Sequence, residues 1–516
     1  MGIKALKAFE LMGYYDVTLP ATTADYIAPD NDISGLQEAL NVGGVIYIPA
    51  GSYQLPVPTN PVNAEWNGSC FQVFDNTHII INPLATFTFP TGLPVGDLYT
   101  VFANEGAVGG TLNNNIWIEG GNFSMPAPAN DVGTQIAPYW YFFSSAGASN
   151  VTIDIDSLDY SCIQFNPQTS STVNSTNSGN KVTSRCKLTN LVNPILWQYG
   201  QNGSMDADVS GAAIGAVDWA PNSENMSANA RLWDCTFVQT AAPFSPPLAP
   251  SKGCFNLNGG SHFLASVGEI IGPGTSDAGN VSCVSTVGAD DISFTFGSIH
   301  GGRHGLVIDD GNNIQVKGDF SGNNLDGIKA NVSNGLTNLD LSGCTAHDNG
   351  VAGTAGATAG LSLNLVNASP APPFTGTMAG GGFYNSATSD QTDSIYISDN
   401  IATGVNFLFE GVRCDNATPL AQAASPYNLL DGIRFSGCAG INPLSVTTPA
   451  VPAASTAVTN DTGTDVDVYI TGGAAVAVSI NGNATGLAGG TFFLGAGSTI
   501  DLGAYTTAPT WEWIGQ

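Results

Sequence analysis

The chain has 516 residues, only 10% of them charged, and a formal net charge of −29. That length exceeds what one compact core of ordinary shape can hold, and 63 glycines with few Lys, Arg and Glu exclude a fold of long helices. The 12 Lys and Arg residues, none between Lys7 and Lys181 or after Arg434, offer no basic track, which excludes nucleic acid and anionic membrane surfaces as partners.

Residues 1–30 read as a leader, with one or two helical turns over residues 4–11 and with Pro20 and Pro29 bounding the next segment. Its two lysines precede no continuous apolar core, so it does not read as a signal peptide, and no run of about 18 apolar residues is present to span a membrane. The chain is expected to be made in the cytoplasm and not exported by the general route. Residues 32–40 predict a short helix, capped by Asp32 or Ser34, with Leu36, Ala39 and Leu40 on one face. At Gly43 the period changes. Residues 43–55 hold an apolar strand, a Pro-Ala-Gly turn and a second strand.

Strand-like runs then recur behind polar turns, beginning at Asn115, Asn150 and Arg231. The clearest register starts at Gly253, Ser282, Gly305, Gly327, Gly360 and Ser394, where a small residue leads each alternating run. A second strand comes after it in each coil, as at Asp291, Asn313, Asn338 and Gly404. A repeat of roughly 22 residues with variable insertions is the signature of a solenoid, whose equivalent side chains stack coil on coil. Residues 199–229 read as a long polar insertion on the surface. The nine cysteines are scattered and form no C-x-x-C pair. They are expected to be reduced and mostly buried, with Cys254 stacked on Cys283.

Near Gly440 the pattern stops, and Pro443, Pro449 and Pro452 mark a Pro/Ser/Thr/Ala linker over residues 441–457. Residues 458–516 predict a separate all-β unit, β-sandwich-like, with alternating strands and a hairpin signal at Asn481-Gly482.

The passage from residue 32 to residue 55 resembles the opening of the pectin-lyase-like superfamily. There a capping helix leads into Gly-Gly-x-Val-x-x-Pro-x-Gly-x-Tyr and the first coil of a right-handed parallel β-helix. The resemblance covers about 25 residues and implies an all-β fold, a right-handed parallel β-helix over residues 31–440. The closing unit, ending Trp511-Glu-Trp-Ile514, resembles the small C-terminal domains of bacteriophage tail and virion-surface proteins. Together these resemblances imply a virion protein of tailspike or tail-fibre type. It would be a homotrimer joined to other virion proteins through its N-terminal segment, and it would take host cell-surface polysaccharide as partner.

The densest cluster of reactive side chains is His300, Arg303, His304, Asp309 and Asp310, with Asp290 and Asp291 one coil earlier. Glycoside hydrolysis needs two carboxyl groups, roughly 5–9.5 Å apart, and neighbouring coils can supply them. In this reading Asp290, Asp291, His304, Asp309 and Asp310 are the catalytic candidates, and Arg303 and His300 contact substrate. The order resembles polygalacturonase-like enzymes, although the family's Asn-Thr-Asp motif is absent and its Arg-Ile-Lys appears as Gly327-Ile-Lys329. The other reading is structural. Asp290-Asp291 aligns with Asn312-Asn313, and Asp309-Asp310 precedes Gly311, so both pairs fall at turns that Asp and Asn favour. Trp140, in the aromatic run 139–143, and Trp219 are the candidate sugar-stacking residues, against a buried-strand alternative. No metal-ligand spacing, phosphate loop or Ser-His-Asp signature is present, and no cofactor is expected.

These residues support three functions. The first is a bacteriophage attachment protein that recognises host-surface glycan, with or without depolymerase activity. The second is a polysaccharide-degrading hydrolase or lyase. The third is a non-catalytic decoration of a capsid or tail.

Overall fold

Side chains alternating between inward apolar and outward polar positions give short strands that stack in register. A computed structural model describes residues 24–58, 68–94, 98–104, 113–126, 139–159, 161–166, 178–183, 187–189, 195–197, 199–210, 217–219, 223–233, 254–272, 282–351, 358–365, 372–386, 391–397, 405–416, 418–422, 433–438, 446–463, 465–474 and 476–515. The chain divides into two units, residues 1–303 and 304–516. Both are made of right-handed parallel β-helix coils, and the second carries small antiparallel sheets at its C-terminal end. The residues matched to the pectin-lyase-like opening form the elements that the resemblance implies.

In the first unit the helix Leu36–Val42 buries Leu36 and Leu40 beside the first coil. Its N-cap is Gly35, with no side-chain cap, so the expected capping by Asp32 or Ser34 does not occur. The Asp32 carboxylate instead accepts the Ser34 amide at 2.8 Å, closing the turn before the helix. The strand Gly44–Ile48 then pairs in parallel with Thr77–Ile81, which pairs with Asn113–Gly120, which pairs with Ala148–Asp154. Ile79, Ile118, Ile153 and Val182 form one inward column across these coils. Phe165, Trp197 and Trp219 form another on successive strands, all three fully buried. Much of the region read as a surface insertion is in fact coil. Ser204–Ser210, Val217–Trp219 and Glu224–Trp233 are strands, with Met205, Ala207 and Val209 turned inward. Small inward residues between Asp, Asn and Ser conceal the alternation in the sequence.

One backbone corner recurs from coil to coil, within or just ahead of a strand. Asn76, Asn115, Asn150, His262 and Asp291 in the first unit, and Asn313 and Asn338 in the second, all have φ between 52° and 62°. Asn and Asp tolerate this left-handed region because a short polar side chain can bond locally. Here it also bonds to the equivalent side chain one coil away. Asn115 Nδ2 donates to Asn76 Oδ1 at 3.0 Å, and Asn338 Nδ2 to Asn313 Oδ1 at 2.8 Å.

The repeat read from the sequence is the register of the sheet. Phe255 pairs with Val284 in the first unit; in the second, Leu306 pairs with Ile328, Ile328 with Leu361 and Leu361 with Ile395. Buried amides bridge coils in the second unit: Asn323 Nδ2 donates to Asn349 Oδ1 at 3.0 Å, and Asn349 Nδ2 to Gln391 Oε1 at 2.9 Å. These bonds satisfy polar groups that would otherwise be costly to enclose. At the C-terminal end, Gly490–Leu494, Val466–Thr471 and Thr510–Gly515 make an antiparallel sheet. Four shorter strands make a second, and Val468, Ile470, Phe492, Ile500 and Trp513 are part of the shared core. Asn481 and Gly482, at φ 50° and 76°, form the expected hairpin turn between Ile480 and Asn483. The Pro-rich segment lies against this module. Trp511 Nε1 donates to the Pro449 carbonyl at 2.7 Å, the Trp513 amide to Thr448 Oγ1 at 3.0 Å, and the Tyr505 hydroxyl to the Pro452 carbonyl.

Candidate functional site

The residues singled out in the sequence divide between the two units. In the first, Asp290 is exposed and Asp291 occupies the left-handed corner, its Oδ2 3.5 Å from His262 Nε2. His300 Nε2 stands 3.6 Å from Glu269 Oε1, and Arg303 is half-buried at the end of the unit. In the second unit His304 is enclosed, with Nδ1 3.2 Å from Asp326 Oδ2, while Asp326 Oδ1 accepts the Ala359 amide at 3.0 Å. Asp309 begins an outward amide ladder. It accepts from Asn331 Nδ2, and Asn331 Oδ1 accepts from Asn364 Nδ2 at 2.8 Å. Asp310 Oδ1 accepts the amides of Ser333, Asn334 and Gly335 at 2.6, 2.9 and 3.2 Å. Burial pushes its pKa up, but these donors outweigh that and hold the carboxyl below its ordinary value. Within each unit these side chains are brought to turns, ladders and loop anchors rather than to one another.

Trp140 and Trp219 are enclosed in the core of the first unit, where a saccharide in solvent does not reach their faces. Trp140 meets the edge of Phe89 at 4.9 Å, and Trp219 stacks on Phe263 at 5.6 Å. The sugar-stacking role expected of them gives way to packing, because both lie on strands whose large side chains fill the coil interior.

The outward face of the first unit holds a different constellation. On Asn113–Gly120, Ile116 and Ile118 point into the core, so Trp117 and Glu119 point out; on Ala148–Asp154, Val151 and Ile153 point in, so Thr152 and Asp154 point out. The register pairs Trp117 with His78 and Thr152, and Glu119 with Ile80 and Asp154. His78 lies flat on Trp117, with centroids 4.3 Å apart and planes inclined by 5°. Its Nε2 is 3.4 Å from Glu119 Oε1, and Thr183 Oγ1 donates to Asp154 Oδ1. Glu119 and Asp154 are 5% and 8% exposed, so two carboxylates on consecutive coils share a sheltered part of an outward face. Their strands lie about 4.8 Å apart. An imidazole stands beside one acid, a hydroxyl donates to the other, and the indole stacked on that imidazole forms the flank. The site sets two carboxylates and one edge of an aromatic pair along a single outward face. The sequence held this signal: aligning the corner residues Asn115 and Asn150 places Glu119 on Asp154.

A further cluster in the second unit closes on itself. His347 Nδ1 is 2.8 Å from Asp348 Oδ2, and Nε2 is 3.2 Å from Asp319 Oδ1. Tyr384 stacks on His347 at 4.8 Å, and the Arg413 guanidinium lies 5.1 Å from the Tyr384 ring centroid. The stack is thus filled by its own members across three coils. Among the described residues no helix is long and apolar enough to cross a membrane.

No family model matches the chain, and no curated protein matches it. Among solved structures it is similar to the A-module of the Azotobacter vinelandii mannuronan C-5 epimerase AlgE6, at 13% identity and a TM-score of 0.42 over 80% of this chain and 99% of that one. It is similar to tailspike protein 3 of bacteriophage CBA120, at 11% identity and a TM-score of 0.42 over 88% of this chain and 70% of that one. The tailspike protein of E. coli bacteriophage HK620, solved in complex with a pentasaccharide, aligns at 12% identity and a TM-score of 0.36, over 94% of this chain and 90% of that one.

Proposed function

We propose that this chain is a glycan-recognition protein of a bacteriophage virion, of tailspike or tail-fibre type. In this reading host-surface polysaccharide lies on the outward face formed by His78, Trp117, Glu119 and Asp154. The observation that carries the proposal is the register pairing of Glu119 with Asp154 beside a stacked indole and imidazole. Neutral sugars present hydroxyl donors to carboxylates and C–H faces to aromatic rings, and this site supplies both groups. A net charge of −29 selects against strongly anionic polymers at long range. The resemblance of residues 458–516 to virion-surface domains supports the particle location. Homotrimeric assembly and attachment to other virion proteins through the N-terminal segment belong to the same proposal; residues 1–23 of that segment lie outside the described residues.

The test is equilibrium binding of the full chain to polysaccharide purified from the surface of a host strain. Saturable binding that Trp117→Ala weakens about tenfold, as loss of an aromatic contact of roughly 1.5 kcal/mol would, supports the reading. Binding that is indifferent to Trp117 removes this face from it. Absence of binding to any host polysaccharide would favour the decoration role instead.

One observation favours cleavage as a second reading. Glu119 and Asp154 are register partners on strands about 4.8 Å apart, a backbone spacing close to the roughly 5–5.5 Å carboxyl separation that retaining glycosidases use. New reducing ends released with retained anomeric configuration, and lost in Glu119→Gln, would establish it. Binding without new reducing ends leaves recognition alone.

A further inference from the structure

The C-terminal module carries an outward face that its own core does not use. On the sheet of Gly490–Leu494, Val466–Thr471 and Thr510–Gly515, the residues Val468, Ile470, Phe492, Leu494, Trp511 and Trp513 are buried. The alternate residues therefore face away from that core. The register sets Phe493 and Ile514 on either side of Asp467, and Thr491 and Glu512 on either side of Tyr469. Phe493 is 60% exposed, Tyr469 39% and Ile514 36%. Tyr469 and Phe493 are diagonal neighbours, a spacing that aromatic side chains span. The face thus sets two exposed aromatic rings and an exposed Ile beside the carboxylates of Asp467 and Glu512.

Size and charge identify what fits it. Three strands about 4.8 Å apart and five or six residues long, at about 3.4 Å each, give a face of roughly 10 by 17 Å, on the order of 200 Å². A stable protein interface needs about 800 Å² per partner, so a second copy or another folded protein is poorly matched. A short oligosaccharide is well matched. Residues 458–516 contain four Asp, one Glu and no Lys, Arg or His, so uronates, sialates and phosphorylated sugars are repelled. Asp467, Glu512 and Thr491 supply acceptors for hydroxyl and acetamido protons. We infer that this face is a binding site for uncharged saccharide, with Tyr469 and Phe493 as its stacking residues. The site is separate from the face bearing Trp117, and the inference does not rest on the reading given for that face.

The experiment uses the full chain on an immobilised panel of neutral hexasaccharides of glucose, galactose, mannose and N-acetylglucosamine, with uronic-acid oligomers alongside. The expected result is binding to at least one neutral member. Tyr469→Ala and Phe493→Ala should each weaken it about tenfold, the scale of a lost aromatic stack, without change in thermal unfolding. Both module variants are compared in a Trp117→Ala background, so that binding at the other face neither masks nor mimics the loss at this one. Failure to bind any neutral member, preference for the uronic-acid oligomers, or equal binding by both module variants would overturn the assignment. So would a change of oligomeric state in Phe493→Ala by light scattering, which would make the face a protein interface.

Discussion

Asp310 shows how a carboxylate that reads as chemistry in a sequence can serve as architecture. Its acceptance of three consecutive amides anchors residues 333–335. Replacing it with Ala should lower the stability of the second unit by about 1.5–3 kcal/mol, the range for hydrogen bonds to a charged group, measured by chemical denaturation. Its folded-state pKa lies below the ordinary 3.8, so this contribution is present above that value and is lost as pH falls through the folded one. Asp393 has the opposite sign. Burial pushes its carboxyl up and Asp326 adds to this, against smaller lowering by hydrogen bonds with Thr418 and Thr392. Its folded pKa exceeds the unfolded one, so its contribution is fully present below 3.8 and fades as pH rises through the folded value. Asp393→Asn should therefore raise the melting temperature at pH 7 and change it little near pH 3. An equal or lower melting temperature at pH 7 would contradict this account. Neither sign was legible in the sequence, because each depends on which neighbours an insertion of variable length brings alongside.

At the scale of the element, the sequence is most readable where a coil is short. From Gly253 onward a small leading residue recurs in each coil despite insertions of variable length, and four of those alignments are register pairs. Between residues 199 and 229 the inward positions carry Met, Ala and Val among Asp and Ser, so period-two alternation is faint and the segment reads as a loop. Trp140 and Trp219 mislead for a related reason: a bulky aromatic in a strand is inward or outward only by parity, and parity needs the register. The glycines make the coil corners testable. Gly260 has φ 88°, and a Cβ there would lie 1.9 Å from the Ser223 carbonyl oxygen one coil away. Gly260→Ala should cost at least about 1–3 kcal/mol, the range for a strained left-handed residue, where Gly92→Ala meets nothing within 4 Å and is limited to backbone strain. Thermal unfolding of the two variants gives the comparison.

At the scale of the whole molecule, the buried thiols and the closing module bear on how the fold persists. Cys70, Cys162, Cys254, Cys283, Cys344, Cys414 and Cys438 are buried and in no disulfide, while Cys186 and Cys235 lie outside the described residues. Burial pushes the Cys70 and Cys344 thiols up to about 12, far from the thiolate that reacts. These seven should resist a thiol reagent in the native protein at pH 8 and react once it is denatured. Contacts from Pro449, Thr448 and Pro452 tie residues 446–456 to the C-terminal module. We therefore propose that a separable module begins near Val446 rather than at residue 458. Limited proteolysis should cut before Val446, and cleavage inside residues 446–456 would contradict that boundary.

In the proposed function, glycan recognition rests on Glu119 and Asp154 on consecutive coils rather than on the Asp-rich turns. The measurement is equilibrium binding of host-surface polysaccharide by six variants of the full chain. These are Glu119→Gln, Asp154→Asn, Asp290→Asn, Asp291→Asn, Asp309→Asn and Asp310→Asn, with reducing ends assayed on the same samples. The first two should lose affinity about tenfold or more, as a charge-assisted hydrogen bond of roughly 1.5–3 kcal/mol implies, and the other four should bind as the parent does. Unchanged binding by Glu119→Gln and Asp154→Asn, with loss confined to the turn variants, would contradict it.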